Sequence, residues 1–430
     1  MKVLMFGWEF PPISSGGLGT ACEGLTKGLN KKGIAVTFVL PKSYNAENPG
    51  YLNIISTEDI ERVGSNIKVI KIDSPLQAYT NASSYNNSIK NAESLFYFGK
   101  KRSNNTPIYG ENLFDEVERY AQKSRIVAQH EDFDVIHAHD WMTYRAGINA
   151  KQEKNKPLVI HVHATEFDRT GGNPNLAVYN IEREGMHAAD KIIAVSNFTK
   201  NKIVEHYGVP ESKITVVHNA VDLKKNEASD NQSFYSGNTT KNKMGNEKVV
   251  LFLGRVTLQK GPDYFLYAAK KALEFDPDIK FVISGTGDMM PFIIEKAAEL
   301  GISKNVLFTG FLSGEDVDKA YRMADLYVMP SVSEPFGITP LEAMRNGVPA
   351  LISKQSGVSE VLHNCLKVDF WDINETANKM IAALNYGSLH KSLKDNGTEE
   401  VMKFSWENSA EKCINVYNNA INGMSSGFAG

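Results

Sequence analysis

The chain has 430 residues, 42% hydrophobic and 23% charged, with 47 Lys and Arg against 50 Asp and Glu for a formal net charge of -3. That length is too great for one compact core, so two domains are expected, and the nearly balanced charge argues against nucleic acid or an anionic membrane as the main partner. The three cysteines, Cys22, Cys365 and Cys413, lie far apart, fit neither a metal-ligand spacing nor a disulfide framework, and point to a reducing cytoplasm.

In chain order, "MKVLMFGWEFPP" holds too short an apolar run for a signal peptide or a membrane span. Residues 3–6 read as a strand, followed by a Gly-rich loop and a helix over about 19–31. Further strands are predicted at 36–40, 134–139, 157–163 and 191–195, each followed by a helix-length segment. Such alternation predicts a parallel sheet covered on both faces. Residues 75–112, rich in Asn, Ser and Tyr, read as an insertion lining a cleft. The polar run 224–247 reads as a linker. The alternation then restarts at 249–254, 279–285, 305–310, 325–329 and 349–353, and residues 404–421 form an amphipathic helix opened by a Ser-x-x-Asn pattern. The fold class is therefore α/β, with two doubly wound, Rossmann-like domains at 1–223 and 248–403 and a final helical segment at 404–430. Ligands of such sheets gather outside the C-terminal strand ends, so the chemistry is sought in the loops after each strand.

The stretch "SEPFGITPLEAM" follows one such strand. Glu334 sits in a Gly/Pro loop, placed for a ligand or for solvent. Thr339 and Glu342 fit a capping box at a helix start, and the amides of Gly337, Ile338 and Thr339 at that terminus suit a phosphate. "GRVTLQKG" puts Arg255 and Lys260 directly after a strand, where fixed positive charge would steady a departing diphosphate. "SSGGLGTA", with Gly16 and Gly17, fails as a dinucleotide fingerprint but lets backbone approach a phosphate or sugar; "SGTGDMM" from Ser284 fails similarly. In "HAHD" and "HVHATE" two His-x-His pairs each share a strand face. Either pair could reach one metal, yet no complete ligand set is evident, so no metal and no cofactor is expected. The Asp-x-Asp triplets at 132–134 and 276–278 precede strands, away from the cleft.

Together and in this order these motifs resemble the retaining GT-B glycosyltransferases, in particular the glycogen and starch synthase group, over nearly the whole chain. The resemblance rests on "FGWEFPPISSGGLG", "VIHAHDWMT", "VIHVHATEF", "GRVTLQKGPD", "SEPFGITPLEAM" and the closing "FSWENSAEKC". It implies that Arg255 and Lys260 hold the donor diphosphate with Gly17 close by, that Glu342 binds the ribose, and that Glu334 contacts the transferring sugar. His163 would meet the sugar's 6-hydroxyl, and Asp140 would line the cleft. The first domain would face the acceptor, the second would bind the nucleotide-sugar, and the last helix would cross back to the first domain. The implied reaction is front-face transfer of glucose from ADP- or UDP-glucose to an α-glucan, with retention and no dedicated base. Ser14 stands where ADP-glucose synthases typically carry Lys, which draws the pattern toward relatives acting on a small sugar, a sugar phosphate or a lipid-linked glycan. The segment 166–175 and the insertion would meet the acceptor. A metal-dependent hydrolase and a silent sugar-nucleotide binder are the competing readings from other classes.

Overall fold

Fourteen short strands lie among the described residues, and most form because apolar runs of four to six residues are covered on both faces. They are β1 (Lys2–Phe6), β2 (Ala35–Leu40), β3 (Arg62–Val63), β4 (Ile67–Lys71), β5 (Val135–His139), β6 (Leu158–Val162), β7 (Lys191–Ala194) and β8 (Ile214–Val216). After them come β9 (Val249–Leu253), β10 (Lys280–Ser284), β11 (Val306–Gly310), β12 (Leu326–Met329), β13 (Ala350–Ser353) and β14 (Leu366–Val368). The computed structural model describes residues 1–11, 16–41, 62–63, 67–71, 113–223 and 247–426, with backbone alone at 62–63, 67–71 and 425–426. The insertion expected at 75–112, Ser14, and the linker expected at 224–247 (Glu247 apart) lie outside the described residues.

The strands make two sheets, ordered β3-β4-β2-β1-β5-β6-β7-β8 and β11-β10-β9-β12-β13-β14. Every pairing is parallel except the short β3–β4 ladder. Both sheets are α/β and Rossmann-like, as the alternation predicts. β1 lies between β2 and β5, and β9 between β10 and β12, so each sheet has one point where the strand order reverses. Loops leaving opposite ways from that point open a crevice at the C-terminal strand ends. The residues after β1, β5, β9 and β12 therefore come to the two crevices.

Helix Gly17–Lys31 places Leu18, Ala21, Cys22, Leu25 and Leu29 on its buried stripe. The final helix, Trp406–Ser426, packs along it, opening with Ser405 Oγ accepting from the Asn408 amide at 3.4 Å. Close approach depends on two glycines one turn apart. A Cβ on Gly24 would lie 2.1 Å from the Trp406 ring, and one on Gly28 would lie 2.5 Å from the Trp406 carbonyl oxygen. Trp406, Cys413, Val416 and Tyr417 thereby join the apolar core of the first sheet. A core on one side of the second sheet includes Val195 and Val221 from the first half of the chain. No helix among the described residues is long and apolar enough to cross a membrane.

One local expectation is corrected. Thr339 and Glu342 form no capping box: helix Thr339–Arg345 starts without a side-chain cap. Two tyrosines claim the side chains instead, Tyr327 donating to Thr339 Oγ1 at 2.7 Å and Tyr321 donating to Glu342 Oε2 at 3.0 Å. The reciprocal box occurs at Thr165 and Asp168, opening the short helix Glu166–Arg169. The Asp-x-Asp triplets serve as anchors at strand starts, Asp134 accepting from the Lys2 amide and Asp276 pairing with Lys248.

Candidate active site

On the first sheet the site begins after β1. Glu9 is buried, and its carboxylate accepts from the Gly19 amide at 3.0 Å, so an acid sits at the positive end of helix Gly17–Lys31. A Cβ on Gly16 would meet Glu9 Oε2 at 2.7 Å, which explains the glycine there. Around Gly17 no other described residue comes within 4 Å of a Cβ position, leaving its backbone open to approach.

The parallel register sets His139 beside His161, so the two His-x-His pairs form a ladder of stacked rings across β5 and β6. His139 Nδ1 lies 2.9 Å from His163 Nε2, His137 Nε2 lies 3.2 Å from His161 Nδ1, and His137 Nδ1 lies 2.6 Å from the Tyr417 hydroxyl. Burial holds His137 and His163 down at about 3 and His139 and His161 well below the ordinary value, so all four rings are neutral near pH 7. His137, His139 and His161 bring nitrogens within 4.8 Å of one another. Both nitrogens of His137 are already hydrogen-bonded, however, and of the nitrogens of these three rings His139 Nε2 and His161 Nε2 alone lack a partner. Two open nitrogens are fewer than a zinc-type site uses.

Asp140 follows β5 with φ 58 and ψ 171, a conformation that only glycine adopts readily. Rather than lining the cleft, it is fully buried behind His163, Oδ1 accepting from the His163 amide at 2.8 Å and the Ala164 amide at 3.3 Å. Burial pushes its carboxyl up to about 6, against the pull of Arg169 and those amides. Arg169, itself enclosed, reaches Asp140 at 3.5 Å, Glu166 at 3.5 Å and Glu182 at 2.8 Å. Burial likewise drives Glu182 up to about 7, although Arg169 and the Tyr207 hydroxyl draw it down. Three buried acids around one guanidinium brace the turn that carries His163. Glu166 and Asp168 are thus occupied within the protein, while Gly171–Asn173 remain exposed.

The second sheet supplies the facing wall. Arg255 lies two residues past β9, its guanidinium 3.5 Å from Gln259 Oε1. Lys260 ends a short turn, and its Nζ meets Glu334 Oε2 at 2.5 Å, where Ser331 Oγ also donates at 3.1 Å. The cation expected at the diphosphate and the acid expected at the sugar are therefore ion-paired. Backbone bonds from Glu334 to Gln355 and Gly357 hold the acid's loop flat against β13's end. Gly337, at φ 101, turns the chain beneath Glu334, where a Cβ would press on Glu334 Cγ at 3.2 Å. The glycines of "SGTGDMM" serve close packing: a Cβ on Gly285 would lie 1.8 Å from the Gly254 carbonyl oxygen.

Beside Glu334 the two walls are joined. Ser333 Oγ donates to Asp168 Oδ1 at 2.6 Å, and Lys202 Nζ reaches both that oxygen and Ser333 Oγ, at 2.5 and 2.7 Å. Burial alone would raise Asp168, but the charge and hydrogen bonds of Lys202, with Ser333 and the Thr165 amide, hold it below the usual carboxylate range. Ser196 and Thr199 donate to the Pro335 carbonyl, and Glu360 accepts from Asn197 and Phe198. Motif reading gave no individual role to Glu9, Asp168, Lys202 or Ser333, and took His139 only as half of a His-x-His pair that could reach a metal. Only the T-x-x-D pattern at Thr165 offered a local signal.

Comparison with known proteins agrees with this architecture. The glycosyl transferases group 1 family matches residues 238–400, and glycosyltransferase family 4 matches residues 15–225. An uncharacterised glycosyltransferase of Methanocaldococcus jannaschii is 30% identical over 435 residues, spanning 99% of this chain and 100% of the relative. A D-inositol 3-phosphate glycosyltransferase of Rhodococcus jostii is 27% identical over 311 residues, 67% of this chain and 68% of its own. The sucrose-phosphate synthase of Thermosynechococcus elongatus shares the fold, with a TM-score of 0.75 over 98% of this chain and 99% of that one at 18% identity. The chain belongs to this glycosyltransferase family and is a nucleotide-sugar-dependent enzyme of the GT-B class.

Proposed function

We propose that the enzyme moves a hexose from a nucleoside-diphosphate sugar, with retention, to a small phosphorylated sugar or polyol. The observation that carries this reading is the grouping of Arg255, Lys260 and Glu334 at the β9 and β12 ends, tied through Ser333 and Asp168 to the wall that bears His163. In this reading Arg255 and Lys260 stabilise the diphosphate as the bond from the sugar's anomeric carbon breaks. Gly16, Gly17 and the amides of Gly337, Ile338 and Thr339 approach it with backbone. Glu342 takes the ribose, and Glu334 takes the sugar hydroxyls and positions Lys260. The acceptor hydroxyl attacks the same face that the diphosphate leaves, and its proton passes to the departing oxygen, so charge and alignment supply the catalysis.

The acceptor choice departs from the α-glucan that the synthase resemblance implies. It is supported by the inositol-phosphate acceptor named for the Rhodococcus jostii relative and by the Ser14 departure in the first loop. The test offers purified protein UDP-glucose, ADP-glucose or GDP-mannose, each with inositol 3-phosphate, fructose 6-phosphate, glucose 6-phosphate or glycogen, and measures nucleoside diphosphate released. Release that depends on a phosphorylated acceptor supports the proposal. Release that depends on glycogen alone returns the enzyme to the α-glucan reading.

A further inference from the structure

We infer that His139 is a positioning residue that holds His163 in the Nδ1–H tautomer, so that His163 presents a hydrogen-bond donor, and no base, to the transferring sugar. This rests on the reading of His163 given above.

The argument turns on one buried nitrogen. His139 is fully enclosed, and its Nε2 has no hydrogen-bond partner. Its Nδ1 is 2.9 Å from His163 Nε2. Both rings are neutral, so each carries one proton. Were the His139 proton on Nε2, an N–H donor would be orphaned in the core, and orphaned buried N–H groups are rarer than under-used acceptors. The proton therefore sits on Nδ1 and is donated to His163 Nε2. A neutral His163 accepting at Nε2 must carry its own proton on Nδ1. That nitrogen is not enclosed and makes no hydrogen bond within the described residues, so it is the one left to the cleft at the end of β6.

The neighbouring chain follows the same rule. His161 Nε2 is also buried without a partner, so His161 donates from Nδ1 to His137 Nε2, and His137 donates from Nδ1 to the Tyr417 oxygen. All four rings are then Nδ1–H tautomers, the pattern that leaves no N–H orphaned at either buried Nε2. Asp140 holds the His163 backbone and His139 holds its ring, so both freedoms of the residue are fixed from behind. A neutral His163 with its exposed nitrogen protonated has no lone pair with which to deprotonate an acceptor.

The test is long-range nitrogen–proton NMR of protein labelled with nitrogen-15 histidine at neutral pH, the His163 signals assigned by their loss in His163→Ala. The expected result is a bare Nε2 and a protonated Nδ1 in wild type. A protonated Nε2 on His163 overturns the inference without any activity measurement. His139→Asn keeps a donor near the Nδ1 position, and His139→Leu does not. The asparagine variant should retain the tautomer and most of kcat. The leucine variant should lose the single tautomer and lower kcat on the order of 100-fold, the scale of a misplaced reacting group, with KM for the donor little changed. Equal kcat in folded His139→Leu and wild type also overturns it. A fully active His163→Ala instead removes the underlying role of His163, and the tautomer measurement stands apart from that outcome.

Discussion

Lys260→Ala separates the structural from the chemical work of the Lys260–Glu334 pair. Their side chains are 23% and 8% exposed, so the pair is neither a surface bridge nor a sealed one. Breaking a buried pair costs about 3–5 kcal/mol and an exposed one about 0–1 kcal/mol, which puts this loss near 2 kcal/mol. Ser331 still donates to Glu334, but the carboxylate is left without its cation. Most of the stability loss is therefore a penalty on the remaining acid. Adding Glu334→Gln to Lys260→Ala should return much of it, visible as a recovered urea midpoint. Activity should behave differently. One preorganised charge at a developing oxyanion is worth about 2.7–4 kcal/mol, or roughly 100- to 1000-fold in kcat. That loss should persist in the double variant, because no cation is restored. Circular dichroism and urea melts establish folding, and nucleoside diphosphate release reports kcat. A folded Lys260→Ala enzyme with wild-type kcat would refute the diphosphate role. Activity that recovered together with stability would show that Lys260 acts only as a structural partner of Glu334.

Other consequences of the geometry are open to measurement. Gly24→Ala drives a methyl into the Trp406 ring, so overpacking of about 1–3 kcal/mol should lower Tm, while Gly17→Ala, open among the described residues, should leave Tm nearly unchanged. Tyr417→Phe removes the acceptor of the buried His137 Nδ1–H and should cost about 1–3 kcal/mol in a urea melt. Glu182 titrates at 4.5 unfolded and at about 7 in the fold, so its contribution is full below 4.5 and is lost as pH rises through about 7. Glu182→Gln should accordingly flatten the fall of Tm with pH across that window, and an unchanged slope would reject the assignment. Ser333→Ala leaves Asp168 paired with Lys202 but cuts one tie between the walls; the expected change is a larger KM for the donor with Tm little moved.

The legible part of the fold was mostly the part buried on both sides, although the half-exposed edge strand β11 was read as well. The strands β1, β5, β6 and β9 announce themselves because a central parallel strand reads as a near-continuous apolar run, broken in β5 and β6 only by histidines. The three-residue strands β8 and β14 sit at sheet edges and are too short to show a period. Each His-x-His pair was readable as two side chains on one face. That the pairs bond across strands depends on the register of His139 with His161, which no local pattern encodes. Thr339 and Glu342 have the right spacing for a capping box, but tyrosines remote in sequence outcompete the helix amides for their oxygens. The tie from Ser333 to Asp168 spans 165 positions, and Asp140 is buried against Arg169, a contact that no local pattern encodes.

The most direct test of the charge-clamp account is the configuration of the first product, read by proton NMR of the anomeric signal during early turnover of an α-linked nucleotide-sugar. A site that lets the departing diphosphate take the acceptor proton, and offers only an N–H from His163, predicts an α-linked product from the first detectable turnover. A β-linked product would require a base opposite the leaving group, and would contradict the account.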